Sequence, residues 1–151
     1  MNVHSSGHEK FIRSAIEKAR KKDEKGRRTP FGAVIVRDDK IIASANNSVA
    51  GDHDPTAHAE VNAIRKACKK IKSNDLSGSV IYTTCEPCPM CFSAIWWAKI
   101  SQIVFGVGIA ELLNHGYRQI NISCKELNKR GGSSLEITEG VIKEECLKLL
   151  R

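Results

Sequence analysis

The chain has 151 residues, 41% of them hydrophobic, which fits one core and a single domain over 1–151. Aromatics supply only 5%, so that core must be aliphatic, and 24 Lys+Arg against 17 Asp+Glu leave a net charge of +7. That balance permits a nucleic-acid partner but is equally met by solvated helix faces and ends. No stretch approaches the roughly 20 apolar residues of a membrane span. The first residues, Met1 to Gly7, carry no apolar signal-peptide core either, so a cytoplasmic protein without membrane contact is expected.

Phe11, Ile12, Ala15, Ile16 and Ala19 recur at helical spacing and predict a helix over His8–Lys22. The stretch Gly26–Pro30 breaks it. Phe31–Val36 and Lys40–Ala45 read as strands joined by Asp38-Asp39, a hairpin. A polar loop runs from Asn46 to Asp54, and Pro55 precedes a helix over Ala57–Ile71. Ser79–Thr84 is a strand, Pro89–Lys99 a helix and Gln102–Val107 another strand. Ile109–His115 is a short helix, Leu135–Thr138 a short strand and Gly140–Leu150 a last amphipathic helix. Such alternation points to an α/β fold, a three-layer α/β/α sandwich around a mixed sheet.

Chemistry concentrates in two short segments. His58-Ala59-Glu60 supplies an imidazole and a carboxylate, and Pro87-Cys88-Pro89-Met90-Cys91 supplies two thiols one helical turn apart. Pro89 suits the first position of a helix, and Pro55 stands just ahead of His58. Two helix N-termini would converge there, with partial positive ends that favour thiolates. Three protein ligands, His58, Cys88 and Cys91, leave zinc an open fourth position for water, and Glu60 then reaches that water. Cys85 makes a Cys-x-x-Cys-x-x-Cys run. Two other readings therefore stand beside the catalytic one: an iron–sulfur ligand run, for which no further cysteine follows closely, and a structural zinc with Cys85 as fourth ligand. The clustering argues against a disulfide framework, and Cys68 and Cys146 sit among apolar neighbours as small hydrophobes.

Asp54-Pro-Thr-Ala-His-Ala-Glu60 together with Glu86-Pro-Cys-Pro-Met-Cys91 resembles the cytidine deaminase-like superfamily, and most closely its branch of bacterial guanine deaminases and tRNA adenosine deaminases. The resemblance is strongest from Pro30 to Gly106. It implies a zinc-dependent hydrolase, usually a homodimer, with His58, Cys88 and Cys91 as ligands and Glu60 as proton shuttle. It also implies that Asn47 reads the base, with Asn46 as the adjacent fallback, that Phe31, Trp97 and Ala59 contact it, and that Glu111 assists the leaving amine. Segments 63–68 and 94–98 resemble the guanine-acting members, so guanine to xanthine plus ammonia is the expected reaction. The segments 136–140 and 146–150 resemble the tRNA-acting members, as does the high positive charge, whose basic runs are Arg20-Lys21-Lys22, Arg27-Arg28, and Arg65-Lys66 with Lys69-Lys70; these keep tRNA adenosine as the alternative. Cytosine or another small amino-heterocycle needs only a different pocket. A catalytically idle zinc subunit or a nucleic-acid binding module would lack the carboxylate at position 60, and Glu60 is present.

Overall fold

The computed structural model describes residues 3–150, with side chains described from Gly7 onward. In chain order the elements are α1 (Val3–Ala19), β1 (Gly32–Arg37), β2 (Lys40–Asn46), α2 (Val49–Asp52), α3 (Ala59–Ile71), β3 (Val80–Cys85), α4 (Pro89–Trp97), β4 (Gln102–Val107), α5 (Ile109–Asn114), α6 (Cys124–Arg130), β5 (Glu136–Thr138) and α7 (Lys143–Leu147). The strands form one sheet in the order β2-β1-β3-β4-β5. β1 runs antiparallel to both β2 and β3, whereas β3, β4 and β5 are mutually parallel, so the sheet is mixed as expected. Among the described residues no helix is long and apolar enough to cross a membrane.

The two-residue period of the strands divides the core. Ala33, Ile35, Ile81, Ile103 and Phe105 face a cluster containing Ala59, Ala63 and Ala67 of α3 and Phe92 and Ile95 of α4. Val34, Val36, Tyr82 and Val104 face the other way, onto Phe11, Ile12, Ala15 and Ile16 of α1 and Cys146 of α7. Helices thus cover both faces, which is the three-layer sandwich. Alanines at every fourth position of α3 keep its sheet-facing stripe thin.

Differences from the expected elements have local causes. The first helix ends at Ala19, before Lys22, because Arg20 to Lys22 are exposed and bring nothing apolar to bury. The Asp38-Asp39 turn has φ of 51° and 59°, the left-handed pair that a two-residue hairpin demands and that short acidic side chains tolerate. α2 lies in the segment read as loop. α6 was not expected at all, although Ser123 caps it by accepting from the Glu126 N–H at 3.1 Å, a Ser-x-x-Glu start. The last helix is only Lys143–Leu147, preceded by Ile142 in the left-handed region at φ 41°.

Gly32 marks where α1 touches the sheet most closely. A Cβ there would fall inside contact distance of the Ala15 carbonyl, which is helix backbone and cannot step aside. We predict that Gly32→Ala costs about 3 kcal/mol or more, the scale of overpacking a core against a rigid neighbour. Gly51→Ala, with open space around it, should shift stability by less than about 0.5 kcal/mol. Urea unfolding midpoints of the two variants check the contrast; equal midpoints would show that α1 can shift away from β1.

Candidate metal centre and cleft

β3 ends at Cys85, and the chain turns through Glu86 and Pro87 into α4 beside the start of α3. His58 is the N-cap of α3 and Cys88 the N-cap of α4, both with extended backbones, and neither side chain makes a capping hydrogen bond. Both remain available to a ligand, and the first-turn N–H groups give each helix start a positive field. Cys91, in the first turn of α4, is fully buried.

His58 Nδ1 lies 3.6 Å from Cys88 Sγ and 3.5 Å from Cys91 Sγ. All three ligand atoms fall within 4.8 Å of one another. A tetrahedral zinc with ordinary bond lengths separates nitrogen from sulfur by about 3.5 Å and the two sulfurs by about 3.8 Å. The two nitrogen–sulfur distances therefore match those of a tetrahedral zinc site. Cys85 does not join it: its thiol is buried and directed at the Pro30 carbonyl at 3.9 Å. Among the described residues the cluster holds three ligands, so Cys85 is neither a fourth zinc ligand nor part of an iron–sulfur run.

The site's electrostatics follow from burial and proximity. The Cys88 thiol is drawn down to about 4, first by a hydrogen bond from Cys91 and then by His58. The same bond, with burial, pushes Cys91 up. Binding a divalent cation at these sulfurs displaces the thiol protons. His58 is raised above its ordinary range, chiefly by its hydrogen bond with Cys88. Glu60, near the start of α3 and buried, is raised by desolvation, while a hydrogen bond from Cys91 pulls the other way.

A cleft of about 410 Å³ opens over His58, Glu60 and Cys88. Asn47 and Phe31, which the resemblance sets against the base, line it. Asn47 Oδ1 accepts from the Val49 N–H at 3.1 Å, which fixes the amide. Phe31 stands edge-on to Tyr117 with ring centroids 6.0 Å apart. Ala59, expected to contact the base, is instead fully buried in the core cluster and outside the cleft lining. Asn46, the fallback to Asn47, ends β2 and offers its carbonyl to Asn62.

Two further expected residues also lie elsewhere. The buried side of α4 carries Cys91, Phe92 and Ile95, so Trp97 falls on the opposite side, 74% exposed and edge-on to Trp96 at 4.9 Å. Glu111 sits on α5 and pairs with Lys143 at 3.3 Å, outside the cleft lining.

Three residues that sequence reasoning missed hold the cleft together. The buried Glu86 carboxylate accepts from the Ile109 N–H at 3.1 Å and the Cys124 N–H at 2.8 Å, tying down the starts of α5 and α6. The segment between those helices includes Tyr117 to Ile120, which forms one cleft wall. Asn62 Nδ2 donates to the Asn46 carbonyl, Ser48 Oγ and the Ala57 carbonyl, anchoring the loop that carries Asn47. Only Glu86 had a local signal, its place beside Pro87-Cys88.

Comparison with known proteins agrees with this geometry. Residues 5–107 match the family described as the cytidine and deoxycytidylate deaminase zinc-binding region. The guanine deaminase of Bacillus subtilis (strain 168) is similar at 43% identity over 122 residues, 81% of this chain and 78% of that protein. A tRNA-specific adenosine deaminase of Buchnera aphidicola subsp. Baizongia pistaciae (strain Bp) is 38% identical over 143 residues, 93% of this chain and 83% of that one. A solved structure from work on A-to-I editing by tRNA deaminases at the wobble position superposes with a TM-score of 0.79 at 29% identity, covering 93% of this chain and 99% of that one.

Replacing Glu86 by alanine would strip two buried helix-start N–H groups of their acceptor, at roughly 1–3 kcal/mol for each. We expect a clear drop in the urea midpoint for Glu86→Ala and a smaller one for Glu86→Gln, which keeps an acceptor oxygen. An unchanged midpoint in the alanine variant would mean that water satisfies both groups.

Proposed function

The chain belongs to the cytidine and deoxycytidylate deaminase zinc-binding family, and from that premise we propose that it hydrolyses guanine to xanthine and ammonia. It is a zinc-dependent hydrolytic deaminase acting on a heterocycle. The observation that carries guanine as the substrate is the 43% identity, over most of both chains, to a guanine deaminase.

His58, Cys88 and Cys91 would hold the ion. Zinc so bound supplies a Lewis acid with one open position, which brings the acidity of water toward neutral pH. Glu60 takes the proton of the attacking water as the new C–O bond forms at the amino-bearing ring carbon. Its carboxyl then delivers a proton to the exocyclic nitrogen, the C–N bond breaks and ammonia leaves. Burial raises the proton affinity of Glu60, which suits a group that must carry a proton between the two half-steps. Asn47 reads the purine edge through its amide, and Phe31 packs against the base with Tyr117 behind it.

The tRNA-adenosine reading is favoured by a different observation: the tRNA-specific relative aligns over 93% of this chain, against 81% for the guanine deaminase. Six unpaired cysteines support a cytoplasmic, reducing setting. A homodimer is supported by Trp96 and Trp97, 47% and 74% exposed beside Leu135 in an apolar groove. Sedimentation should show a dimer that Trp97→Lys dissociates; a monomeric wild type would remove that part of the reading.

Ammonia release by zinc-loaded protein tests the substrate, with guanine, cytosine and an adenosine-containing tRNA anticodon stem in parallel. Guanine should turn over fastest, and conversion of the stem alone would hand the function to the alternative. Glu60→Ala should retain its zinc and lose about 10²–10⁴ in rate, the usual worth of a positioned acid–base group. Normal turnover in that variant would overturn the assignment.

A further inference from the structure

The cleft wall over Tyr117 to Ile120 is an irregular arm between α5 and α6. Among the described residues, Arg118 to Asn121 make no hydrogen bond to the rest of the fold. The Ile122 N–H donates to the Ile120 carbonyl at 2.8 Å, but that bond lies within the arm. The Tyr117 N–H reaches back to the Leu112 carbonyl at 3.1 Å, at the end of α5. The position of the arm is therefore decided at its two ends.

Both ends return to one side chain. Glu86 accepts from the Ile109 N–H, where α5 begins, through Oε1, and from the Cys124 N–H, where α6 begins, through Oε2. Its own N–H donates to the Val107 carbonyl at 2.7 Å, and the Cys124 thiol donates to the Pro87 carbonyl at 3.3 Å. These bonds gather on the turn that leads directly into Cys88. The carboxylate thus ties the arm to the same backbone that carries a zinc ligand, through hydrogen bonds that its charge strengthens.

The arm presents an apolar surface to the cleft. Among the described residues, Ile120 is the one large hydrophobic side chain of the lining that stands exposed, at 61%. With Phe31, Met90 and Tyr117 it gives the cleft a rim that a planar base would cover.

We propose that Glu86 is a positioning residue for substrate binding: by clasping both ends of the arm to the turn before Cys88, it holds Tyr117 and Ile120 against the bound base. The inference rests on the deaminase reading of the cleft and gives Glu86 no contact with the reacting atoms. α5 and α6 each keep a buried anchor of their own, Leu112 and Cys124, so loss of the carboxylate displaces the arm without unfolding it. Contacts of this kind hold substrate and transition state alike, and losing them raises KM while kcat is kept.

Steady-state kinetics of guanine deamination by the zinc-loaded full chain test this. Glu86→Ala should raise KM about tenfold, the usual worth of a small apolar contact in a pocket, with kcat and zinc content close to wild type. Glu86→Gln keeps one acceptor oxygen and should fall between; it carries the test should the alanine variant misfold. Ile120→Ala should raise KM too, and adding it to Glu86→Ala should change little more, because the two act through one arm. Asn128→Ala removes a comparable clasp outside the cleft lining, the pair of bonds to the Leu135 N–H at 3.1 Å and its carbonyl at 2.9 Å. That variant should lower the urea midpoint and leave KM alone. The proposal is overturned by an unchanged KM in the Glu86 variants, by KM effects of Glu86 and Ile120 that simply multiply, or by an equal rise in Asn128→Ala. Loss of zinc from Glu86→Ala would place the role of the carboxylate at the metal and overturn it as well. Hydrogen exchange over residues 115–122 reads the clasp without any substrate: it should quicken in Glu86→Ala and not in Asn128→Ala, and unchanged exchange sinks the clasp. Silence of the wild type on guanine with quickened exchange in Glu86→Ala would remove guanine and leave the clasp.

Discussion

Two helices begin where one buried strand stops, and the site depends on that coincidence. β3 carries the chain to Cys85 in the middle of the sheet, between an antiparallel and a parallel neighbour. Its next residues start α4, and α3 starts against the same spot. Because His58 and Cys88 are the half-in residues at those starts, their backbones are extended and their side chains reach forward, off the helix ends. Cys91, in the first turn of α4, completes the set from inside the helix. Placing His58 and Cys88 at the caps lets two unrelated helices aim at one point, inside a field that favours thiolate over thiol.

Around that point the irregular chain is held by buried polar groups more than by apolar packing. Thr84 on β3 donates to the Pro30 carbonyl at 2.7 Å and accepts from the Gly32 N–H at 3.1 Å, which fixes the entry to β1 and the position of Phe31. Glu86 and Asn62 do the same for the 109–124 segment and for the loop before α3. No buried side-chain polar atom among the described residues is left without a partner. A low-dielectric interior makes such bonds strong and makes their loss costly.

Much of this was legible in the sequence because it is local. Strands and helices with periodic apolar residues, such as α3 and β4, fell where the pattern put them. The ligand cluster was readable because helix geometry alone brings Cys88 and Cys91 together, and Pro89 at the first position of α4 and Pro55 ahead of α3 mark the helix starts. What failed to show depends on distance along the chain. Glu86 works on residues 23 and 38 positions away, and Tyr117 meets Phe31 across the cleft; no periodicity reports either. The family resemblance sets Trp97 against the base. Its side is set by Phe92 and Ile95, which turn it outward. The short α6 escaped because its apolar content is slight, while its Ser123 cap was visible and went unused.

The remaining cysteines bear on how the protein ages. Cys85, Cys124 and Cys146 are buried, and burial pushes each thiol up, Cys146 to about 12, so they stay protonated and unreactive toward peroxide. Cys88 alone combines a thiolate near neutral pH with partial exposure. Its sulfur is shielded for as long as a cation occupies its lone pairs. Storage with a chelator in air would therefore damage this chain at one atom first, and the lesion, a sulfenic acid at the metal ligand, would read as an enzyme that no longer takes up zinc while its core remains intact.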